Sequence, residues 1–303
     1  MKVSIIIPTY NGGELLEKCL KSIEAQDCFF AQKIIIDSSS KDNTLELAGR
    51  YGFETYVIDQ KDFDHGGTRN EALGKVTSDI VVYMTQDAIL ETSKAVSHLI
   101  EAFRDPDVDA VYGRQLPHLD ANYLAKYARI NSYKDLDYTT SLNDEFPIGF
   151  RKAFMSNSFA AYRVVSLREL GGFPSKLILG EDSFVAAKTL LKGRKVSYKA
   201  SAVARHSHNY TISQEFKRYF DIGVFHKSQS WMLDSLGRVE GEGIKFALGQ
   251  IKYLWKMKVY TLIPLSLLMS FAKFSGYKLG KNYNKLSTRL NIKLSMHKGY
   301  FKG

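Results

Sequence analysis

The run Ile80-Val81-Val82-Tyr83-Met84-Thr85-Gln86-Asp87 reads as an apolar strand closed by one carboxylate, and the pair Glu181-Asp182 stands far downstream. Such a strand delivers its last side chains to the carboxyl edge of a sheet, where open α/β folds bind ligands. Asp87 is then placed to hold a divalent cation, and Asp182 to take a proton from a hydroxyl. That combination is the chemistry of a metal-assisted transferase. Asp37 closes a second apolar run, residues 33–36, and suits hydrogen bonds from a base or ribose. A single aspartate at a strand end is more simply a cap or solvated turn, and an acidic pair opening a helix already suits the helix dipole. The three carboxylate positions together favour a site.

Two further clusters bear on the same chemistry. Phe63-Asp64-His65-Gly66-Gly67-Thr68-Arg69-Asn70 reads as a glycine turn opening a helix, whose free amides and Arg69 suit a phosphate. It is neither a Walker loop nor a dinucleotide fingerprint. His206-Ser207-His208 follows an expected strand, so either imidazole is a candidate metal or diphosphate ligand, although two histidines make no zinc site without partners.

The elements that must position these groups follow from periodicity. Residues 3–8, 33–36, 55–58 and 80–84 read as strands alternating with helices at 15–23, 44–50 and 69–74, with Ser38-Ser39-Ser40 as a helix cap. The fold class is α/β, a doubly wound, mostly parallel sheet. Helices are expected at 93–104, 123–133 and 182–192, strands at 110–112 and 196–204, and ordered segments at 158–164 and 166–170, the latter stopped by Gly171-Gly172. The polar and aromatic stretch 135–150 lacks a period and reads as a mobile substrate loop. Two cysteines, Cys19 and Cys28, cannot build a disulfide framework, and no secretory hydrophobic segment follows Met1-Lys2, so the expected compartment is the cytoplasm.

Taken together these residues resemble family 2 glycosyltransferases, inverting enzymes with a GT-A fold, and within them the bacterial rhamnosyltransferases. The resemblance covers nearly the whole chain. Ser4-Ile5-Ile6-Ile7-Pro8-Thr9-Tyr10-Asn11 is similar to the family's opening strand, Ile36-Asp37-Ser38-Ser39-Ser40-Lys41-Asp42 to its nucleotide-binding aspartate segment, and Gly180-Glu181-Asp182 to its acidic pair. The subgroup is suggested by residues 63–70, 206–211 and 221–226. The resemblance implies Asp37 at the base, Pro8, Thr9 and Tyr10 lining its pocket, Arg69, Gln86 and Asp87 at the donor, and Asp87 with His206 at a Mg2+ or Mn2+ ion. It also implies Asp182 as general base, with Glu181 shaping the acceptor site. The family's DXD motif is reduced to Thr85-Gln86-Asp87, and Ser38 replaces a frequent acidic or amide residue. The implied reaction moves L-rhamnose from dTDP-β-L-rhamnose to a lipid-linked glycan in bacterial surface polysaccharide synthesis. A UDP-hexose donor and a non-catalytic nucleotide- or glycan-binding module are the alternatives.

The expected division is a catalytic domain at 1–210, with a nucleotide-sugar half at 1–115 and an acceptor half at 116–210, followed by a helical basic region at 211–303. The chain carries a net charge of +10, but after Glu242 there is no acidic residue against twelve lysines and arginines. The first 242 residues therefore sum to 10 − 12 = −2. Residues 259–272 are uncharged but too short to span a bilayer. Tyr253, Trp255, Tyr260, Phe271 and Phe274 interleaved with lysines fit helices lying on an anionic membrane surface. A nucleic-acid-binding tail, which the charge alone permits, is not expected. The protein is accordingly expected as a peripheral protein on the inner face of the cell membrane.

Overall fold

Within Ile5-Ile6-Ile7 the first and third side chains enter one hydrophobic layer and the middle one enters another, as the two-residue repeat of a strand buried on both faces requires. The computed structural model describes residues 1–238 and 241–302. Its first half alternates strictly: β1 (Val3–Thr9), α1 (Gly13–Glu24), β2 (Phe30–Asp37), α2 (Thr44–Arg50), β3 (Glu54–Val57), α3 (His65–Leu73) and β4 (Ile80–Met84). The second half contains β5 (Ile89–Leu90), α4 (Ala95–Ile100), β6 (Val108–Leu116), α5 (Tyr123–Ser132), β7 (Tyr138–Thr140), β8 (Phe159–Arg163), α6 (Val164–Glu169), α7 (Glu181–Leu191) and β9 (Lys195–Arg205). Helices follow: α8 (Ile212–Ser228), α9 (Ser230–Leu236), α10 (Glu242–Lys256), α11 (Ile263–Gly280) and α12 (Thr288–Leu294).

Among the described residues the nine strands join one sheet, in the order β3-β2-β1-β4-β8-β6-β9-β5, with β7 also on β9. From β3 to β4 every pairing is parallel. Beyond β4 the sheet is mixed: β8 runs antiparallel to β4 and β6, β9 runs parallel to β6, and β5 and β7 pair antiparallel with β9. One layer packs Ile5, Ile7, Ile35 and Val82 against Leu16, Leu20, Leu47 and Leu99 of α1, α2 and α4. The other packs Ile6, Ile34, Ile36 and Tyr83 against Leu73, Leu167, Leu190 and Phe220 of α3, α6, α7 and α8. Each such aliphatic side chain contributes about 1.5–3 kcal/mol on burial, which holds the strand ends and their carboxylates in register.

Several expectations are revised. Gly66-Gly67 lies inside the first turn of α3, because Asp64 caps the helix and accepts from both glycine amides, at 3.1 and 2.6 Å. The serines at 38–40 do not cap α2. Asp42 accepts from the Thr44 N–H, while Ser40 turns back to Asp37. Stretch 135–150 is tied down by β7, with Asp137 accepting from the Ala200 N–H at 2.6 Å. The polarity that masked it belongs to an edge strand.

The basic region does not stand apart at residue 210. Phe220, Val224, Phe225, Met232 and Leu236 are buried in the same cluster as Tyr83 and Ile178, and Tyr300 and Phe301 pack against it. Helices α8 and α11 approach backbone to backbone: a Cβ at Gly280 would lie 2.0 Å from the Phe220 carbonyl oxygen.

Candidate active site

β4 ends directly before Thr85-Gln86-Asp87, and β9 ends directly before His206. Antiparallel pairing of β5 with β9 draws these two strand ends together. Asp87 Oδ2 lies 3.5 Å from His206 Nε2 and 3.8 Å from His208 Nε2. One ligand atom from each of the three residues fits within 4.8 Å of the others. His206 Nδ1 lies 2.9 Å from Gln115 Oε1, and the Gln115 amide nitrogen donates to Ser156 Oγ at 2.9 Å. Gln115 therefore accepts the Nδ1 proton, leaving the Nε2 lone pair directed at Asp87, the arrangement typical of a metal-ligating histidine. Burial disfavours ionisation of Asp87, but His206, Thr85 and His208 outweigh it and hold the carboxyl far below the usual range. Burial likewise lowers both imidazoles, His208 to about 4, so both are neutral donors at neutral pH. One carboxylate and two imidazoles form a donor set that could hold a divalent ion.

The acidic pair opens α7. Gly180 precedes it with φ of +81°, and a Cβ there would press on the Phe225 ring of α8 at 2.8 Å, so glycine is required at this approach. Glu181 is buried, 3.3 Å from Arg69 Nη1, and accepts from Asn157 Nδ2 at 3.0 Å. Asp182 Oδ2 accepts the Asn157 N–H at 3.1 Å, and Oδ1 the Ser183 N–H at 2.7 Å. Burial first, and then the charge of Glu181, push Asp182 up to about 7. Arg69 and Asn157 offset the burial of Glu181 and keep it ionised. Two adjacent carboxyls thus occupy opposite protonation regimes, the condition for a general base working near neutrality.

The two halves of the site are linked. Ser156, bonded to Gln115, is the chain neighbour of Asn157, so residues 156–157 connect the histidine cluster to the acidic pair. Arg129 lies 3.4 Å from His206 Nδ1 and over the Tyr133 ring, while Arg218 lies over the Tyr210 ring. The sequence reading missed Gln115, Arg129, Ser156, Asn157 and Arg218, none of which leaves a local signal, whereas His208 stood beside His206 as a candidate ligand.

Other expected residues serve the frame. Asp37 is wholly buried: it accepts from Thr9 Oγ1 at 2.8 Å, the Ser40 N–H at 2.7 Å and Ser40 Oγ at 2.6 Å. It fixes the loop beside Pro8 and Thr9, with two of its bonds on Oδ1 and one on Oδ2. Gln86 exchanges two bonds with the Tyr10 backbone, which occupies its amide. The Tyr10 side chain is exposed. Arg69, expected at a phosphate, is buried, donates to the His65 carbonyl and pairs with Glu181. A buried carboxylate needs that guanidinium more than a solvated ligand does.

A family model described as glycosyl transferase family 2 matches residues 4–171. The chain belongs to glycosyl transferase family 2. The family match ends before Asp182 and His206, so longer relatives bear on the rest. An O-antigen chain rhamnosyltransferase, RfbN of Salmonella typhimurium, is 47% identical over 99% of this chain and 96% of its own length. Another, WbaN of Salmonella anatum, is 46% identical over 98% and 95%. Among solved structures, a mannosyltransferase of Pyrobaculum calidifontis in complex with GDP-Man and Mn2+ aligns with a TM-score of 0.57 at 19% identity, covering 99% of this chain and 85% of that one. TarS of S. aureus, residues 1–349 with UDP-GlcNAc, gives 0.56 at 17% identity, covering 94% and 92%. These structures share the fold, and this family 2 glycosyltransferase is GT-A-like.

Proposed function

We propose that the protein is an inverting rhamnosyltransferase that moves L-rhamnose from dTDP-β-L-rhamnose to a hydroxyl of a lipid-linked glycan in surface polysaccharide synthesis. The observation that carries this reading is identity of 46–47% to two O-antigen rhamnosyltransferases over nearly the full length of both chains. The acidic pair supports it chemically. Asp182 accepts the acceptor's hydroxyl proton as the oxygen attacks the anomeric carbon; the carbon–oxygen bond to the nucleoside diphosphate breaks on the opposite face, and the configuration inverts. Glu181 stays ionised on Arg69 and keeps the Asp182 proton affinity high. Asp87, His206 and His208 would hold a divalent ion, with Gln115 orienting His206; such an ion supplies charge neutralisation at the departing diphosphate. Arg129 and Arg218 stand beside that position, over the Tyr133 and Tyr210 rings, and are suited to the same phosphates.

The outer faces of α10 and α11 support work at a membrane surface. Ile244, Leu248 and Trp255 are exposed along α10, and Leu267, Leu268, Phe271 and Phe274 along α11. Exposed Lys252, Lys256, Lys258 and Lys278 accompany them. Tyr253, by contrast, turns inward onto Tyr127. Among the described residues no helix is long and apolar enough to cross a membrane. An apolar face with a basic border suits the anionic inner leaflet, where a lipid-linked acceptor presents its sugar.

The test is transfer from dTDP-L-rhamnose compared with UDP-hexoses, with Mn2+, Mg2+ or chelator present, onto a lipid-linked glycan. Selective, metal-dependent transfer from dTDP-rhamnose, with inversion, is expected. Equal or better use of a UDP-hexose overturns the donor; binding without turnover of any nucleotide sugar overturns the enzyme reading of this site.

A further inference from the structure

The lysine-rich C-terminal stretch packs against the core of the catalytic half. Asp221 of α8 is wholly buried, and its Oδ2 accepts the backbone N–H groups of Met296 and His297, at 2.9 and 3.3 Å. A buried carboxylate held by two backbone donors fixes the chain just after α12. The His297 ring meets His65 edge to face, with centroids 4.8 Å apart and His297 Nδ1 3.4 Å from His65 Nε2. Phe63 covers His65 edge to face as well, at 5.1 Å. His65 is the first residue of α3, and its carbonyl accepts from Arg69 Nη1 at 2.7 Å; the same nitrogen lies 3.3 Å from Glu181 Oε1. A continuous chain of contacts therefore runs from Asp221 through His297, His65 and Arg69 to the carboxylate beside Asp182.

We propose that residues 286–301 form a strap that completes the catalytic centre, with His297 as a positioning residue that fixes His65 and, through its carbonyl, the Arg69–Glu181 pair. This rests on the reading of Asp182 as the base. The strap is anchored independently of the contact: Tyr300 and Phe301 pack on the core cluster, and the Phe301 ring faces Tyr283 and Phe220. Loss of the His297 ring nitrogen alone leaves that anchorage intact. What changes is the His65 ring, which keeps Phe63 on one side and loses the ring nitrogen facing its Nε2 on the other, so the first turn of α3 can shift Arg69 relative to Glu181. Around the acidic pair the charged or titratable neighbours are Arg69 and His65 from α3, Tyr162 from β8, Tyr133 after α5, and His297; around His297 they are His65, Asp221, Glu181 and Arg218.

The experiment compares wild type, His297→Phe and His297→Asn in the full-length enzyme. Phenylalanine keeps a ring of similar size and removes the nitrogen, whereas asparagine places an amide where Nδ1 stood. Three quantities are read: transfer kinetics, nucleoside diphosphate affinity by calorimetry, and the carboxyl titration of Asp182 by 13C NMR, assigned by its loss in Asp182→Asn. The expected result for His297→Phe is a kcat about tenfold lower at unchanged donor KM and diphosphate affinity, with the Asp182 titration displaced by at least about half a pH unit. That kcat loss corresponds to about 1.4 kcal/mol at the transition state. His297→Asn recovers most of both effects. An unchanged Asp182 titration in His297→Phe overturns the proposal whatever donor the enzyme uses, and so does a loss that asparagine fails to restore. Failure of the donor assignment shows instead as absent wild-type turnover with dTDP-rhamnose, while the titration still reads the strap.

Discussion

Asn157 holds Asp182 with its backbone and Glu181 with its side chain: its N–H donates to Asp182 Oδ2 at 3.1 Å and its Nδ2 to Glu181 Oε1 at 3.0 Å. Its remaining amide oxygen accepts from the buried Tyr162 hydroxyl at 2.7 Å. Truncation to alanine leaves a buried carboxylate and a buried phenol each short of a partner, while the backbone bond to Asp182 survives. Asn157→Ala is expected to cost about 1.5–3 kcal/mol of stability and to lower kcat about 10- to 100-fold, because Glu181 is freed to move. Chemical denaturation and initial transfer rates check the two parts separately.

Asp182 sets the pH behaviour. With its proton affinity raised to about 7, the base is disabled below that value, and kcat should fall about tenfold per pH unit on the acid side. The stability sign is opposite to that of an ordinary ion-paired aspartate. Between the unfolded value near 3.9 and about 7 the folded state keeps a proton that the unfolded chain has lost, so stability declines as pH rises through that window. Asp182→Asn is therefore expected to abolish transfer by about 10²–10⁴-fold while raising the melting temperature at about pH 8, with little change at about pH 4. Paired rate and melting measurements across pH test it; a lower melting temperature at the alkaline end contradicts the assignment.

Strands were legible in the sequence where burial on both faces makes continuous aliphatic runs, as at Ile80 to Met84, and helices where Leu16, Cys19, Leu20 and Ile23 recur on one face. The acidic pair was legible because Gly180 and the apolar residues after it mark a helix start. Partnerships between distant segments were not. Gln115 lies in a strand interior, Asn157 in a loop and Arg129 in a helix, and nothing local distinguishes them from ordinary polar residues; only the pairing of β6 with β9 and the turn into β8 bring them to the site. The partners of Arg69 and Asp37 were hidden for the complementary reason. Local pattern places a charge near a crevice but does not tell which neighbour neutralises it. The packing of the tail was hidden for a third reason, since charge counts cannot see Tyr300 and Phe301 returning to the core.

Gln115 offers a test of the histidine cluster that touches no ligand. Its Oε1 fixes the His206 tautomer from behind. Gln115→Leu keeps the volume and removes the acceptor, so the imidazole is free to protonate at Nε2 and turn its lone pair away from Asp87. Loss of such a supporting bond typically costs 10- to 100-fold in metal affinity, so half-maximal transfer should need about that much more Mn2+. A manganese titration of the rate, at saturating donor, reads it directly; an unchanged titration means that His206 does not bind the ion through Nε2.

The exposed face of α11 can be separated from its packed one. Ser266, Met269, Ala272, Gly276 and Gly280 are buried, whereas Phe271 and Phe274 stand 66% and 59% exposed. Replacing both phenylalanines by serine should leave the fold and the turnover of a water-soluble acceptor analogue intact. Burying two such rings in lipid is worth up to about 3–6 kcal/mol, so binding to vesicles rich in phosphatidylglycerol should fall at least about 100-fold. Each basic residue near the surface adds about 1 kcal/mol that salt screens, so exchanging Lys252, Lys256 and Lys278 for glutamine should instead weaken binding most at low ionic strength. Vesicle sedimentation across salt concentrations distinguishes the two contributions, and binding that survives both sets of changes would place the membrane contact elsewhere on the protein.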